Sequence, residues 1–446
     1  MKKILLLILL FPAAFLSQEN NYKAIYNATY KEIFKDVVKE RYYKLLKNLD
    51  AKHRSKLKKQ FRKRNETILE LIKDSVFVFH KEYDTFLSNI LEEINSENPT
   101  LKSKDYKFFF NRLATPNAAC FGNEVFMINT GLFHFLENED EFAFIVCHEI
   151  AHQVLNHVDN NIKKYVNTVN SKEVKRKIRD VQLTIYGRNK EGMKLVKNLT
   201  FNFLAYSRKL ELEADSIGLE LYKKTKYNAN AAITALEKLK GSDEALFDTK
   251  IKLDSLLHFN KYPFKEYWLD KEESMFKIDE KQDDYAWNKD SLKTHPDIEE
   301  RIAVFKSKIL GAVSKENTSF KEIKEFAKYQ QINSLLDFNQ VDIAVYFLLK
   351  EIQSKKAKPQ TFVQLSSAIR KLYELKLKHQ FGKYVPQNNP FTKEENINNI
   401  RQFLHNLELK EIRKIGYFYC EKYAELLNDN QEFINNKTFF KTLNNK

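Results

Sequence analysis

Residues 139–158 read EDEFAFIVCHEIAHQVLNHV, and this stretch decides the fold. Val146, Ile150, Val154 and Val158 recur at helical spacing on one stripe, and the acidic residues between Glu137 and Glu141 stand where the positive end of a helix dipole attracts them. The spacing predicts a helix from Glu139 to Val158. Inside it, His148-Glu149-Ile150-Ala151-His152 fits the pattern H-E-x-x-H. Histidines four positions apart lie one turn apart on one face, so His148 and His152 can hold one metal ion. Glu149 projects about 100° away from His148, too far round to be a ligand, but well placed to take a proton from an attacking water.

A catalytic zinc site takes three protein ligands and keeps one position open, so a third ligand must come from elsewhere in the chain. His157 is nearest in sequence. On a continuous helix, however, it lies about 180° around from His148, and it reads as structural or exposed. Glu211 and Asp215 fit better. They fall four apart on a second helix predicted from about Asn202 to Lys224, with Leu210, Ala214, Ile217 and Leu221 on its apolar face. Small Ala214 and Gly218 let that helix approach another closely. One carboxylate can bind the metal while the other orients a ligand imidazole and fixes its tautomer; the spacing leaves open which does which. Two neutral histidines and a carboxylate favour zinc over magnesium or calcium.

Working outward, Val125 to Ile128 follow the turn-type pair Gly122-Asn123 and, with the aromatic run Tyr106 to Phe110, predict a small sheet. Residues 21 to about 97 carry apolar positions at helical spacing, among them Val76, Phe79, Tyr83, Phe86, Ile90 and Ile94, with a stop at Asn95 to Pro99. On the C-terminal side a helix is predicted after Thr294-His295-Pro296, with Asp297 and Glu299 in its first turn. From about residue 319 the helical pattern continues to the end, broken at Pro359, Pro386 and Pro390. The chain of 446 residues is too long for one ordinary core. It divides into residues 1–17, a helical N-terminal region 18–105, a central domain 106–310 and an all-helical C-terminal region 311–446. The fold class is mainly α with a small β-sheet.

With 43% hydrophobic and 30% charged residues and only 9 Gly and 8 Pro, the composition is that of a globular, helix-rich chain and excludes a disordered or fibrous one. Met1, Lys2 and Lys3 precede an apolar run from Ile4 to Leu16 that ends at Ser17, the pattern of a secretory signal peptide cleaved after Ser17. An uncleaved N-terminal anchor is the alternative. Export places the chain in a bacterial periplasm, with secretion or a membrane-peripheral position as variants. No later segment reaches the apolar length of a membrane span, in keeping with a mean hydropathy of −0.54. Cys120, Cys147 and Cys420 show no Cys-x-x-Cys spacing, so neither a disulfide framework nor a thiolate zinc site is implied, and one bridge is allowed but not required. The net charge of +15, less two once Lys2 and Lys3 leave, suits anionic lipid headgroups or acidic partners. Basic residues are scattered, and the run Lys56 to Arg64 reads as a solvated helix face, so nucleic acid is not expected as a partner.

The blocks Pro116-Asn117-Ala118-Ala119, Asn129-Thr130-Gly131-Leu132, His148 to His152 with His157 following, Ser207-Arg208 with Glu211-x-Glu213-Ala214-Asp215, and Thr294-His295-Pro296 with Arg301 together resemble the CAAX prenyl protease/HtpX family of zinc metallopeptidases, in its soluble exported branch. The resemblance covers roughly residues 106 to 310. It implies a zincin-like α+β metallopeptidase core, one zinc ion, Glu211 as the third ligand and Asp215 as the partner that orients a ligand. It further implies that His295 lies near the metal, stabilising the oxyanion or occupying the metal at rest, with Arg301 supporting it. Asn117, Ala118 and Ala119 match an edge strand that would pair with an extended polypeptide by backbone hydrogen bonds. The chain departs from the family there, with Ala119, Gly122 and Asn123 where a large residue and a Gly-Gly pair are more usual. The expected activity is hydrolysis of peptide bonds in unfolded or misassembled envelope proteins. The helical C-terminal region is a place for protein partners. The rival reading is a non-catalytic, chaperone-like protein whose zinc is structural, with His295 closing the fourth position.

Overall fold

The aromatic run Phe108-Phe109-Phe110 and the apolar run Val125 to Ile128 lack the polar alternation of a sheet with one wet face, and a computed structural model shows why. The structure describes residues 28–47, 49, 52–74, 76–101, 105–184, 188–240, 246–270, 298–309, 318–387 and 394–445. Strands β1 (Phe77–Val78), β2 (Lys107–Asn111), β3 (Ala118–Gly122) and β4 (Val125–Asn129) form one mixed sheet in the order β1-β2-β4-β3, with β2 parallel to β4 and both other pairs antiparallel. Successive side chains in a strand point to opposite faces. Phe108, Phe110, Phe126 and Ile128 therefore enter one core, whereas Phe109, Val125 and Met127 enter another on the far side of the sheet. A sheet buried on both faces needs continuous apolar runs.

Two N-terminal helices, α1 (Ala28–Lys47) and α2 (Arg54–Lys73), cover the outer face with Phe34, Val38, Ile68 and Ile72. The expected helical path through Val76 and Phe79 is corrected. Phe77 and Val78 are a strand, because Phe-Val between β-prone neighbours gains more by pairing with Phe110 and Asn111, and the helix α3 (Lys81–Glu97) begins only afterwards. At the β3–β4 turn, Gly122, Asn123 and Glu124 all take positive φ (78°, 56° and 62°). Asn123 and Glu124 between paired Gly122 and Val125 have the handedness of a type I′ hairpin turn, as the Gly-Asn pair suggested. Strand β3 is the sheet edge, as expected for Ala118 and Ala119; Asn117 lies just before it, and its carbonyl accepts from the Asn129 N–H at 2.8 Å.

On the inner face lie α4 (Leu132–Phe135), α5 (Glu139–Val154), the last turn of α8 (Arg188–Tyr222), α9 (Ala231–Leu239) and α11 (Ile298–Lys308), whereas α6 (His157–Val169) packs against α1 and α2, α7 (Lys172–Leu183) follows it, and α10 (Leu253–Leu256) belongs with the C-terminal helices. The start of α5 is capped as its acidic N-terminus promised: the Asn138 side chain accepts from the Glu141 N–H at 2.9 Å. Its predicted stripe is corrected. Phe142 to Ala151 are buried on every side, Val154 is 44% exposed and closes the helix, and Val158 belongs to α6. A helix that is apolar all round is a core helix, and its period carries little information about facing.

The C-terminal part comprises α12 (Thr318–Asp337), α13 (Val341–Gln353), α14 (Pro359–Leu377), α15 (Phe381–Tyr384), α16 (Glu395–Asn406), α17 (Leu409–Lys422) and α18 (Gln431–Asn444). Pro359 sits in the first turn of α14, where its missing N–H costs nothing. The core under α5 gathers side chains from Val78 to Ala327, so α3 and the first turns of α12 pack with the central elements. A second core joins α13 to α18 with Leu253, Phe259, Tyr262 and Trp268; the Trp268 indole and Tyr267 hydroxyl both donate to buried Glu411 at the start of α17. Segment 253–268 thus packs with the C-terminal helices. The expected signal peptide, residues 1–17, lies outside the described residues. Among the described residues, no helix is long and apolar enough to cross a membrane, and Cys120, Cys147 and Cys420 are all unpaired.

Candidate metal centre

Helices α5 and α8 run antiparallel, and their register follows from one contact after another. The Tyr222 hydroxyl donates to the carbonyl of Asp140 at 2.9 Å, Gly218 meets the backbone at Cys147 and His148, Asp215 reaches His148, and Glu211 reaches both His148 and His152. Residues 211, 215, 218 and 222 are spaced by four, three and four, so they share one face of α8. The close approach needs Gly218. A Cβ there would stand 2.9 Å from the His148 Cα and 3.2 Å from its backbone nitrogen, neither of which can turn aside. Gly218→Ala is therefore expected to force the helices apart, costing about 1–3 kcal/mol in urea denaturation and weakening zinc binding at least about tenfold. Gly192→Ala, also on α8 but with its nearest neighbour at 3.6 Å, should change neither and serves as the control.

Between the helices, the Nε2 atoms of His148 and His152 stand 3.1 Å apart, and each faces one oxygen of Glu211 at 3.5 Å. Ligand atoms about 2.0–2.1 Å from a tetrahedral zinc ion are roughly 3.4 Å from one another, so these separations fit such an ion without rearrangement. Among the described residues this is the group of three whose donor atoms converge within 4.8 Å. The opposite nitrogen of His148, Nδ1, lies 3.0 Å from Asp215 Oδ1. Asp215 is gripped in turn by Arg301, whose Nε and Nη2 donate to its two oxygens at 2.6 and 2.7 Å. The geometry thus divides the carboxylates, with Glu211 toward the shared point and Asp215 behind His148.

The electrostatics agree with a cation site. Burial alone would lower the His148 pKa, but Asp215 and Glu211 beside it raise it to about 10. Burial, reinforced by the charge on His148, pushes His152 down to about 3. Asp215 stays below the usual carboxylate range despite its burial, because His148 and Arg301 both favour its charged form. The two carboxylates therefore hold one positive charge against the imidazoles even in the metal-free protein, where a divalent cation would displace the proton.

Glu149 is 7% exposed, and its charge adds to the burial that raises the Cys120 thiol of β3 to about 12. Gln153, one turn beyond Glu149, accepts from the Glu124 N–H at 3.0 Å and ties the hairpin to the motif helix. Arg64 was expected on a solvated face. Instead it is largely buried and pairs with Asp159 of α6 at 2.6 Å, crossing the spot that a side chain at Gly122 would fill. His295, together with the helix start at Thr294 to Pro296, falls outside the described residues. The described partner of Arg301 is Asp215.

Of the two readings of His157, structural or exposed, the structure keeps the first, and it corrects the placement on the far side of the helix. Asn156 adopts φ 53°, breaks the helix after Leu155 and turns the chain so that His157 starts α6 and points back at the site. It is 3% exposed, its Nδ1 lies 3.0 Å from His152 Nδ1, and its Nε2 lies 3.4 Å from Glu213. Both His157 and Glu213 fell within the blocks that carry the family resemblance, but neither was given a role at the site. The available signal was Asn156, a residue that tolerates the left-handed conformation that ends helices.

A family model described as peptidase family M48 matches residues 83–309 of this chain. The mitochondrial metalloendopeptidase OMA1 of Arabidopsis thaliana is 32% identical over 123 residues, which are 28% of this chain and 23% of that protein. The chain thus spans less than a quarter of the length of that relative.

Proposed function

Because the chain belongs to peptidase family M48, a family of metallopeptidases, we propose that it is a zinc-dependent endopeptidase that cleaves extended polypeptides. The observation that carries this reading is the convergence of His148, His152 and Glu211 at zinc-ligand separations, with Glu149 buried one residue from the first of them. A zinc ion in this cradle would supply Lewis acidity to the scissile carbonyl and to water. Glu149 takes a proton from the attacking water as its oxygen bonds to the carbonyl carbon. The same carboxyl then gives that proton to the amide nitrogen as the carbon–nitrogen bond breaks. Asp215 and Arg301 hold His148 in the tautomer that leaves Nε2 free. Substrate binds as an added strand along β3, with the backbone of Asn117, Ala118 and Ala119 supplying the hydrogen bonds, a mode that reads sequence weakly.

Weak sequence reading, the pattern of the first 17 residues and the resemblance to the exported branch of the CAAX prenyl protease/HtpX family support unfolded or misassembled envelope proteins as clients. Purified chain lacking residues 1–17 should cleave unfolded casein, stop on addition of a chelator and recover on return of zinc. His152→Ala should lose both zinc and cleavage. Zinc bound stoichiometrically with no cleavage of any unfolded substrate would overturn the enzyme reading in favour of a structural zinc site. Recovery of the chain in the cytoplasmic fraction would overturn the envelope assignment alone.

A further inference from the structure

The two ligand histidines are backed differently. His148 meets a carboxylate directly, whereas behind His152 stands a second imidazole. We propose that His157, held by Glu213, is a positioning residue that orients His152 toward the metal and fixes its tautomer. This rests on the metallopeptidase reading, in that His152 is taken as a ligand.

The argument follows the protons. His152 Nε2 faces Glu211 and His148 Nε2, so it must be bare to take a metal, and the proton of neutral His152 is then on Nδ1. The neighbour of Nδ1 is His157 Nδ1 at 3.0 Å, which must accept. The proton of His157 is therefore on Nε2, which lies 3.4 Å from Glu213 Oε2, an acceptor. One arrangement gives each of these contacts a proton facing an acceptor, with His157 Nε2 and Glu213 meeting as a charge contact and not as an aligned hydrogen bond, and it is the one that presents a lone pair to the metal. The rings of His152 and His157 stand nearly perpendicular, 78° apart at 5.0 Å between centroids, so the hydrogen bond also limits rotation of the ligand ring. The bend at Asn156 makes this possible, since on a continuous helix His157 would face away. Metal-bound histidines depend on such partners, whose removal typically weakens metal binding about 10–100-fold.

The test titrates the full mature chain with zinc alone, against a chromophoric chelator, for wild type, His157→Ala, His157→Asn and His157→Gln. The Asn amide oxygen reaches the place of Nδ1 and can accept from His152; the Gln amide reaches the place of Nε2 and cannot. His157→Ala and His157→Gln should each weaken zinc binding about 10–100-fold, and His157→Asn less than about tenfold. The cobalt(II) absorption spectrum should shift in His157→Ala but not in His157→Asn. If His157→Ala fails to fold, the contrast between Asn and Gln decides. Equal affinity in all four chains, or equal losses in Asn and Gln, would overturn the proposal. Wild-type chain that takes up no zinc would overturn the metal site itself, and the proposal with it.

Discussion

Glu149→Gln is expected to leave one zinc per chain and to lower peptide-bond hydrolysis by about 10²–10⁴-fold, the usual contribution of a positioned general base. The substitution keeps the size and the hydrogen-bonding reach of the side chain, and it leaves His148, His152 and Glu211 in place, so the cradle survives. What it removes is the carboxylate that we propose accepts a proton from water and returns it to the departing amine. Casein cleavage and zinc content, measured on the same two preparations, separate these effects. Loss of zinc along with activity would mean that Glu149 supports the cradle, and undiminished cleavage would remove it from the reaction altogether.

The second large effect is expected at Arg301. Its guanidinium holds both oxygens of Asp215, and the two side chains are only 10% and 5% exposed. A buried, bidentate pair of this kind adds little over a well-packed apolar pair, yet removing one member strands the other charge. Arg301→Leu should therefore cost about 3–5 kcal/mol in denaturant unfolding of the zinc-loaded chain. The metal-free chain should lose less, because His148, with its pKa raised to about 10, can keep its proton and neutralise Asp215. Zinc affinity should fall as well, since binding must then expel a proton that Asp215 holds more tightly. Equal destabilisation of both forms would show that Arg301 acts by packing alone and not through the line from Asp215 to His148.

Much of the site was legible from short-range spacing. His148 and His152 share a helix face because they are four apart, and Glu211 and Asp215 share another for the same reason; helix geometry fixes such relations whatever surrounds them. The division of labour between Glu211 and Asp215 was implied by the family resemblance but not legible from spacing, because it depends on where α8 stands along α5. That register is set by contacts that Tyr222 and Gly218 make with α5, a helix distant from them in sequence. Gly218 itself was readable as a point of close approach, since no other residue lets two backbones come so near.

By itself, then, the sequence determined a mainly helical chain with a small sheet, the motif helix, and the residue types that favour zinc. Local periodicity and ligand chemistry need only neighbouring residues. Only the tertiary structure decided that α5 is buried on every side, since its one predicted stripe did not distinguish a surface helix from a helix surrounded by core. Tertiary structure also decided that Arg301, 86 positions away, holds Asp215, and that Arg64 leaves solvent for Asp159. His157 marks the boundary most clearly. One left-handed residue at Asn156 costs little in isolation and is chosen because the turned chain buries His157 against His152, a gain that exists only once α5, α6 and α8 are packed.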